Sequence, residues 1–153
     1  MKTISLRFED FESAFIIGSP DSRYFVSTET GEVIHTSHFD DETVRKRILD
    51  KVAAPGWLEI PRPTEADAHA EIDAFIASEG RDSEVGQALT AGLSDKKPFV
   101  GFNKALGKFP EARRRWSDAR MAAIHRRLLA FTTQHELIID DPAFAAIVAA
   151  RAT

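Results

Sequence analysis

Residues 97–116 read KPFVGFNKALGKFPEARRRW, and whether this stretch turns inward as a core or outward as a site decides the reading of the whole chain. Phe99, Phe102, Leu106 and Phe109 fall at i, i+3, i+7 and i+10, a spacing that lays them on one buried face of a helix. Pro110 ends that helix or begins the next. A platform for stacking nucleic-acid bases keeps its rings wet with intervening polar positions, whereas these rings share their face with Leu106. The phenylalanines are expected in the core, and the cations around them remain as exterior chemistry.

Working outward, Glu111 to about Thr133 forms a long helix carrying Ala112, Trp116, Ala123, Leu128 and Phe131 on one broad arc. The final DDPAFAAIVAA places Asp141 as a cap, Pro142 at the first helical position, and Phe144, Ile147 and Val148 on a short helix. Upstream, Val85, Leu89 and Leu93 line a helix capped by Asp82 or Ser83. Before it, Thr64 and Asp67 suggest a capping box for a helix over about 65–78 that Gly80 closes. The back half is therefore helical.

The front half reads differently. Tyr24–Ser27 and Val33–Thr36 are β-rich runs joined by Thr-Glu-Thr-Gly, whose Gly31 can take the positive φ of a hairpin loop. Trp57–Ile60 offers a third strand between breakers. A helix over Asp40–Val52 follows an Asp cap, and mixed three- and four-residue spacings over 5–18 give an amphipathic helix that Gly18 and Pro20 stop. The expected fold is α+β, with a small antiparallel hairpin or sheet near the N-terminus and a predominantly helical C-terminal half, in one domain over residues 1–153.

Three segments carry a family resemblance: YFVSTETGEVI (24–34), WLEIPRPTEADAHAEIDAFI (57–76) and the opening stretch. With Phe99, Phe102, Leu106, Pro110, Arg115 and Trp116 in their places, the chain resembles the bacterial uncharacterised protein family numbered 0158. It departs from that pattern at Gly101, Asn103 and Ala119. The resemblance implies a shape and no chemistry.

Charge is unevenly spread. Residues 1–95 hold nineteen acidic and nine basic side chains, whereas residues 96–153 hold five acidic and eleven basic ones. Such asymmetry marks a nucleic-acid or anionic face, or it lets two parts of one chain attract each other. Arg113, Arg114 and Arg115 open a helix at its positive end, the unfavourable end for cations unless an anion sits there. Together with Lys104 and Lys108 they are the candidate anion- or nucleic-acid-binding residues; the competing reading has carboxylates of residues 1–95 neutralise them. Arg120 and Arg127 fall inside the apolar arc of the long helix, where at least one is expected to be partly buried and paired.

Other chemistry is thin. His35 and His38 before Asp40 and Asp41 resemble a metal cluster, yet a strand splays the two rings and a helix cap explains the aspartates. His125 and His135 are read as surface or helix-end residues. With no cysteine there is no disulfide or thiolate chemistry. No Ser/His/Asp arrangement, glycine-rich phosphate loop or dinucleotide fingerprint is visible, so no catalytic residue, metal or cofactor is expected. No run reaches the roughly 18 apolar residues of a membrane span, and MKTISLRFEDFE turns acidic where a secretory leader is apolar, which points to a cytoplasmic location. The expected function is a binding or regulatory module acting on a protein partner or as a homodimer, without catalysis. The alternatives are nucleic-acid binding through Arg113–Arg115 and an enzyme of unknown reaction.

Overall fold

The computed structural model describes residues 1–16 and 21–151. Gly18 and Pro20, the expected stop of the first helix, lie outside the described residues. The elements run β1 (Lys2–Ile4), α1 (Phe8–Ile16), β2 (Ser22–Ser27), β3 (Val33–Ser37), α2 (Glu42–Val52), β4 (Trp57–Ile60), α3 (Glu65–Glu79), α4 (Glu84–Gly92), α5 (Pro98–Leu106), α6 (Pro110–Gln134), β5 (Leu137–Ile139) and α7 (Pro142–Arg151). The fold is α+β as the residue patterns require, and no helix among the described residues is long and apolar enough to cross a membrane. Contacts divide the chain into a split unit, Met1–Pro63 with Ile124–Thr153, and a continuous unit, Thr64–Ala123.

In the split unit β2 is the centre of an antiparallel sheet of order β3-β2-β4, so Trp57–Ile60 does supply the third strand. The hairpin loop closes on Ser27, whose Oγ accepts from the backbone of Glu29 and Thr30. Gly31 takes φ 77° there, and a Cβ on it would collide with the Ser5 carbonyl oxygen, so the position demands glycine on two counts. A second, parallel pair joins β1 to β5, with Lys2 opposite Leu137 and Ile4 opposite Ile139. The sequence reading missed both strands and began the first helix at residue 5. Residues 2–4 are instead drawn into this ladder, and α1 starts at Phe8.

The periodicity of α1 is then spent on the core. Phe11 and Phe15 meet edge to face at 5.2 Å, and both meet Phe131 of α6, at 6.1 and 5.6 Å. Phe144 of α7 is buried in the same core, leaving Val148 as the exposed large hydrophobic residue of that helix. His125 is not at a helix end: it sits in mid-α6, half-buried, with Nε2 2.8 Å from Glu12 Oε2. His135 lies against Phe131, ring centres 4.7 Å apart.

Across the sheet, Arg23 donates from Nε and Nη2 to both carboxylate oxygens of Glu59, at 2.8 and 2.9 Å. These hydrogen bonds hold the Glu59 carboxyl below its usual pKa, against a smaller opposing effect of burial. A carboxyl whose pKa is lower in the folded state adds stability above its unfolded pKa of about 4.3 and loses it as pH falls through the folded value. Both side chains are well exposed, so the contribution is about 0.2–1 kcal/mol. Glu59→Gln should therefore lower the urea midpoint slightly near neutral pH and leave it unchanged at about pH 3. An equal loss at both pH values would show that the pair has no pH-linked role.

The continuous unit is a set of helices with conventional ends. Thr64 and Asp67 form the capping box, Gly80 at φ 91° closes α3, and Ser83 Oγ caps α4 by accepting from Gly86 at 2.9 Å. α4 and α5 then cross with almost no room between backbones. A Cβ on Gly101 would strike the Gly92 carbonyl oxygen, and one on Gly92 would meet Gly101's at 2.5 Å.

Candidate binding groove

The opening stretch divides between core and surface. α5 stops at Leu106, one turn short of Phe109, which falls in the turn before Pro110. Phe102 is 1% exposed and Leu106 equally sealed, but Phe99 and Phe109 are only half-buried. The expectation of one fully buried face is corrected accordingly. Phe99 lines a gap that also has Ala68 of α3 in its wall.

That gap is an open groove of about 210 Å³. α5 supplies Phe99, Phe102 and Asn103; α6 supplies Trp116 and, one turn on, Arg120; α3 supplies Ala68, Glu71 and Ile72 at i, i+3 and i+4. Trp116 is fixed from behind by Phe102 (5.0 Å, edge to face) and Phe75 (5.1 Å, tilted). Asn103 donates from Nδ2 to the Phe99 carbonyl at 2.9 Å, holding its amide against its own helix. His69 lies 5.0 Å from the Phe99 ring. The lining is thus mostly aromatic and aliphatic, with Glu71, Asn103 and Arg120 as its polar residues.

The five sequence-predicted cations are not equally available, because Arg115 is paired. Successive residues of a helix turn by roughly 100°, so Arg113, Arg114 and Arg115 point three ways. Arg115 turns to α3 and donates from Nε and Nη2 to the nearly buried carboxylate of Glu79, at 2.8 and 2.6 Å. Those hydrogen bonds raise the Arg115 pKa further, with burial opposing and Glu79 and Glu111 adding attraction. Its charge is consumed inside the unit, as the neutralisation reading anticipated for this one residue. Arg113, two turns before Arg120, shares its face. Arg113, Arg114, Arg120, Lys104 and Lys108 are exposed and take part in none of the ion pairs among the described residues.

The acidic residues of α3 are, by contrast, engaged, Glu71 of the lining among them. On α3, Asp67 caps the helix, Asp73 accepts from Arg81 at 3.1 Å, Glu79 holds Arg115, and Glu71 is partnered. Of the two charged residues of the lining, Glu71 is thus engaged, whereas Arg120 enters none of the ion pairs among the described residues.

No protein-family model, curated protein or solved structure matches the chain.

The other candidates resolve structurally. Asp41 Oδ1 accepts from Thr43 N at 3.0 Å as the cap of α2, and Asp40 Oδ2 accepts from Ser37 N at 2.8 Å. His35 stacks on Tyr24 at 5.1 Å. Among the described residues no three His, Asp or Glu side chains gather as a metal set. Arg127 is the half-buried arginine of the α6 arc and is partnered, whereas Arg120 is exposed at the groove.

Proposed function

We propose that the chain is a binding module that recognises another protein through the groove between α3, α5 and α6. Its occupant is an apolar side chain presented on an acidic segment. One observation carries this reading: half-buried Phe99 and Trp116 line an open groove with the exposed Arg120 beside them. Val100 and Met121, exposed apolar residues next in sequence to Phe99 and Arg120, extend the surface available to a partner. Membership of family 0158, implied by the three quoted segments, would add a shared shape and no chemistry to this proposal.

The chain has two tryptophans, so Trp57→Phe leaves Trp116 as the sole indole reporter. Peptides of Asp and Glu with one central Leu or Phe should shift its emission on binding, and the same peptides with Ala at the centre should not. Arg120→Glu should weaken binding roughly three- to tenfold and reverse the sign of its salt dependence. If no acidic apolar peptide perturbs Trp116, the groove reading fails.

Lys104, Lys108, Arg113 and Arg114, all exposed and unpaired, keep a second reading in view, that of nucleic-acid binding. It requires single-stranded DNA or RNA to bind at low salt with a steep salt slope that flattens in an Arg113→Ala, Arg114→Ala double variant. Absence of binding at low salt ends that reading.

A further inference from the structure

A second concavity, of about 170 Å³, lies wholly within the split unit where β2, β3 and α2 come together. Three arginines line it, Arg23, Arg45 and Arg62, with Ser37, His38 and Asp21. Their charges are not equally available. Arg23 is spent on Glu59, and Asp21 and Arg62 are each engaged, Arg62 reaching the Ser22 carbonyl from Nη1 at 3.5 Å. Asp40, beside the pocket in sequence, is occupied by the Ser37 backbone. Arg45 remains: half-buried against the pocket, it enters none of the ion pairs among the described residues.

Nearby hydrogen-bonding groups suit an anion with oxygens in several directions. Ser37 Oγ accepts from Phe39 N at 3.2 Å, which leaves its own O–H to donate. The guanidinium fork of Arg45 and the His38 ring add donors from other elements of the wall. A planar carboxylate needs one fork; a phosphate, with three free oxygens, uses donors arriving from several sides. The space equals roughly six waters' share of liquid volume, more than one phosphate displaces. Next to His38 stands Phe39, 80% exposed, its ring edge-on to the His38 ring at 5.9 Å.

We propose that this pocket binds a phosphomonoester, with the phosphate held by Arg45 and the Ser37 hydroxyl and the organic group lying against Phe39. The site is separate from the groove on the continuous unit and does not depend on the function assigned to it.

The test uses the full chain at low ionic strength and titrates inorganic phosphate, adenosine 5′-monophosphate, adenosine and phosphatidic-acid vesicles, followed by backbone amide NMR shifts or calorimetry. Adenosine 5′-monophosphate should bind more tightly than phosphate, adenosine should not bind, and the shifts should fall on residues 36–39 and 45. Arg45→Gln should lose roughly tenfold or more, with Arg45→Lys restoring part of it, and Arg113→Ala should change nothing. Phe39→Ala should weaken the nucleotide and spare inorganic phosphate. An unchanged melting midpoint in Arg45→Gln shows that the loss is local, and a lowered one makes Arg45→Lys the deciding variant. Binding to the vesicles with the nucleotide silent assigns the phosphate to a lipid headgroup and keeps the site. Adenosine binding as tightly as its monophosphate, wild-type affinity in Arg45→Gln, or no response to any phosphate overturns the proposal.

Discussion

Phe11→Ala is expected to remove about 3–5 kcal/mol of stability, the largest single loss among the substitutions considered. Phe11 is wholly buried, and its ring is the meeting point of Phe15 from its own helix and Phe131 from α6. Truncation forfeits the transfer energy of the ring, leaves a cavity that two helices and a ladder cannot easily collapse, and deletes two aromatic contacts of about 0.5–1.5 kcal/mol each. Against the 5–15 kcal/mol typical of a folded domain, that is a large fraction. In a Trp116→Phe background, Trp57 on β4 reports the transition, and the urea midpoint should fall by roughly 1.5–3 M. Phe11→Leu, which keeps much of the apolar volume, should lose less. A shift for Phe11→Ala no greater than the roughly 0.5 kcal/mol of a surface substitution would show that this three-ring contact is not the centre of the core.

Gly101→Ala sets two effects of opposite sign against each other. In a helix interior Ala is favoured over Gly by roughly 0.8–1 kcal/mol. Here the added methyl meets the Gly92 carbonyl oxygen and, at 2.7 Å, the Asp95 Cβ. The first obstacle is backbone, so relief requires the α4–α5 crossing to open, at about 1–3 kcal/mol or more. Packing wins, and the variant should be destabilised by about 1–3 kcal/mol. Gly107→Ala is the matched control: φ there is −61°, the nearest atom to an added Cβ is the Lys104 carbonyl oxygen at 3.4 Å, and a gain of roughly 0.4–1 kcal/mol is expected. With Trp57→Phe, Trp116 reads both midpoints. If Gly101→Ala stabilises as Gly107→Ala does, the crossing is looser than described.

The same glycine shows where sequence ceases to inform. The helices, the hairpin and Asp41, Ser83 and the Thr64–Asp67 box as caps were legible because capping and periodicity act over three or four residues. Gly101 read only as a departure from a family pattern, since the need for it comes from a neighbouring helix's backbone. β1 and β5 were illegible for a related reason. Each is three residues long, too short for alternation to register, and the partners are separated by most of the chain.

The candidate groove was half legible. Its aromatic walls stood in the opening stretch, but nothing local separates Phe99 from Phe102. What separates them lies on other helices: Phe102 meets Trp116 of α6 and is sealed, while Phe99 meets the exposed His69 of α3. Likewise the triple arginine reads as one feature, while helical rotation disperses it and Glu79, thirty-six residues away, removes Arg115. The arginines of the second pocket left no signature, because Arg23, Arg45 and Arg62 come from a strand, a helix and a loop spaced about twenty residues apart.

Among the described residues, the split unit's core draws seven of its thirteen buried residues from before position 63 and six from position 124 onward. A nascent chain emerging from the ribosome must therefore carry Phe8, Phe11 and Phe15 uncovered until Leu128 and Phe131 have been synthesised, while residues 64–123 can complete their own core first. During that interval residues 1–63 are the aggregation hazard, and the time taken to translate residues 64–131 sets how long it lasts.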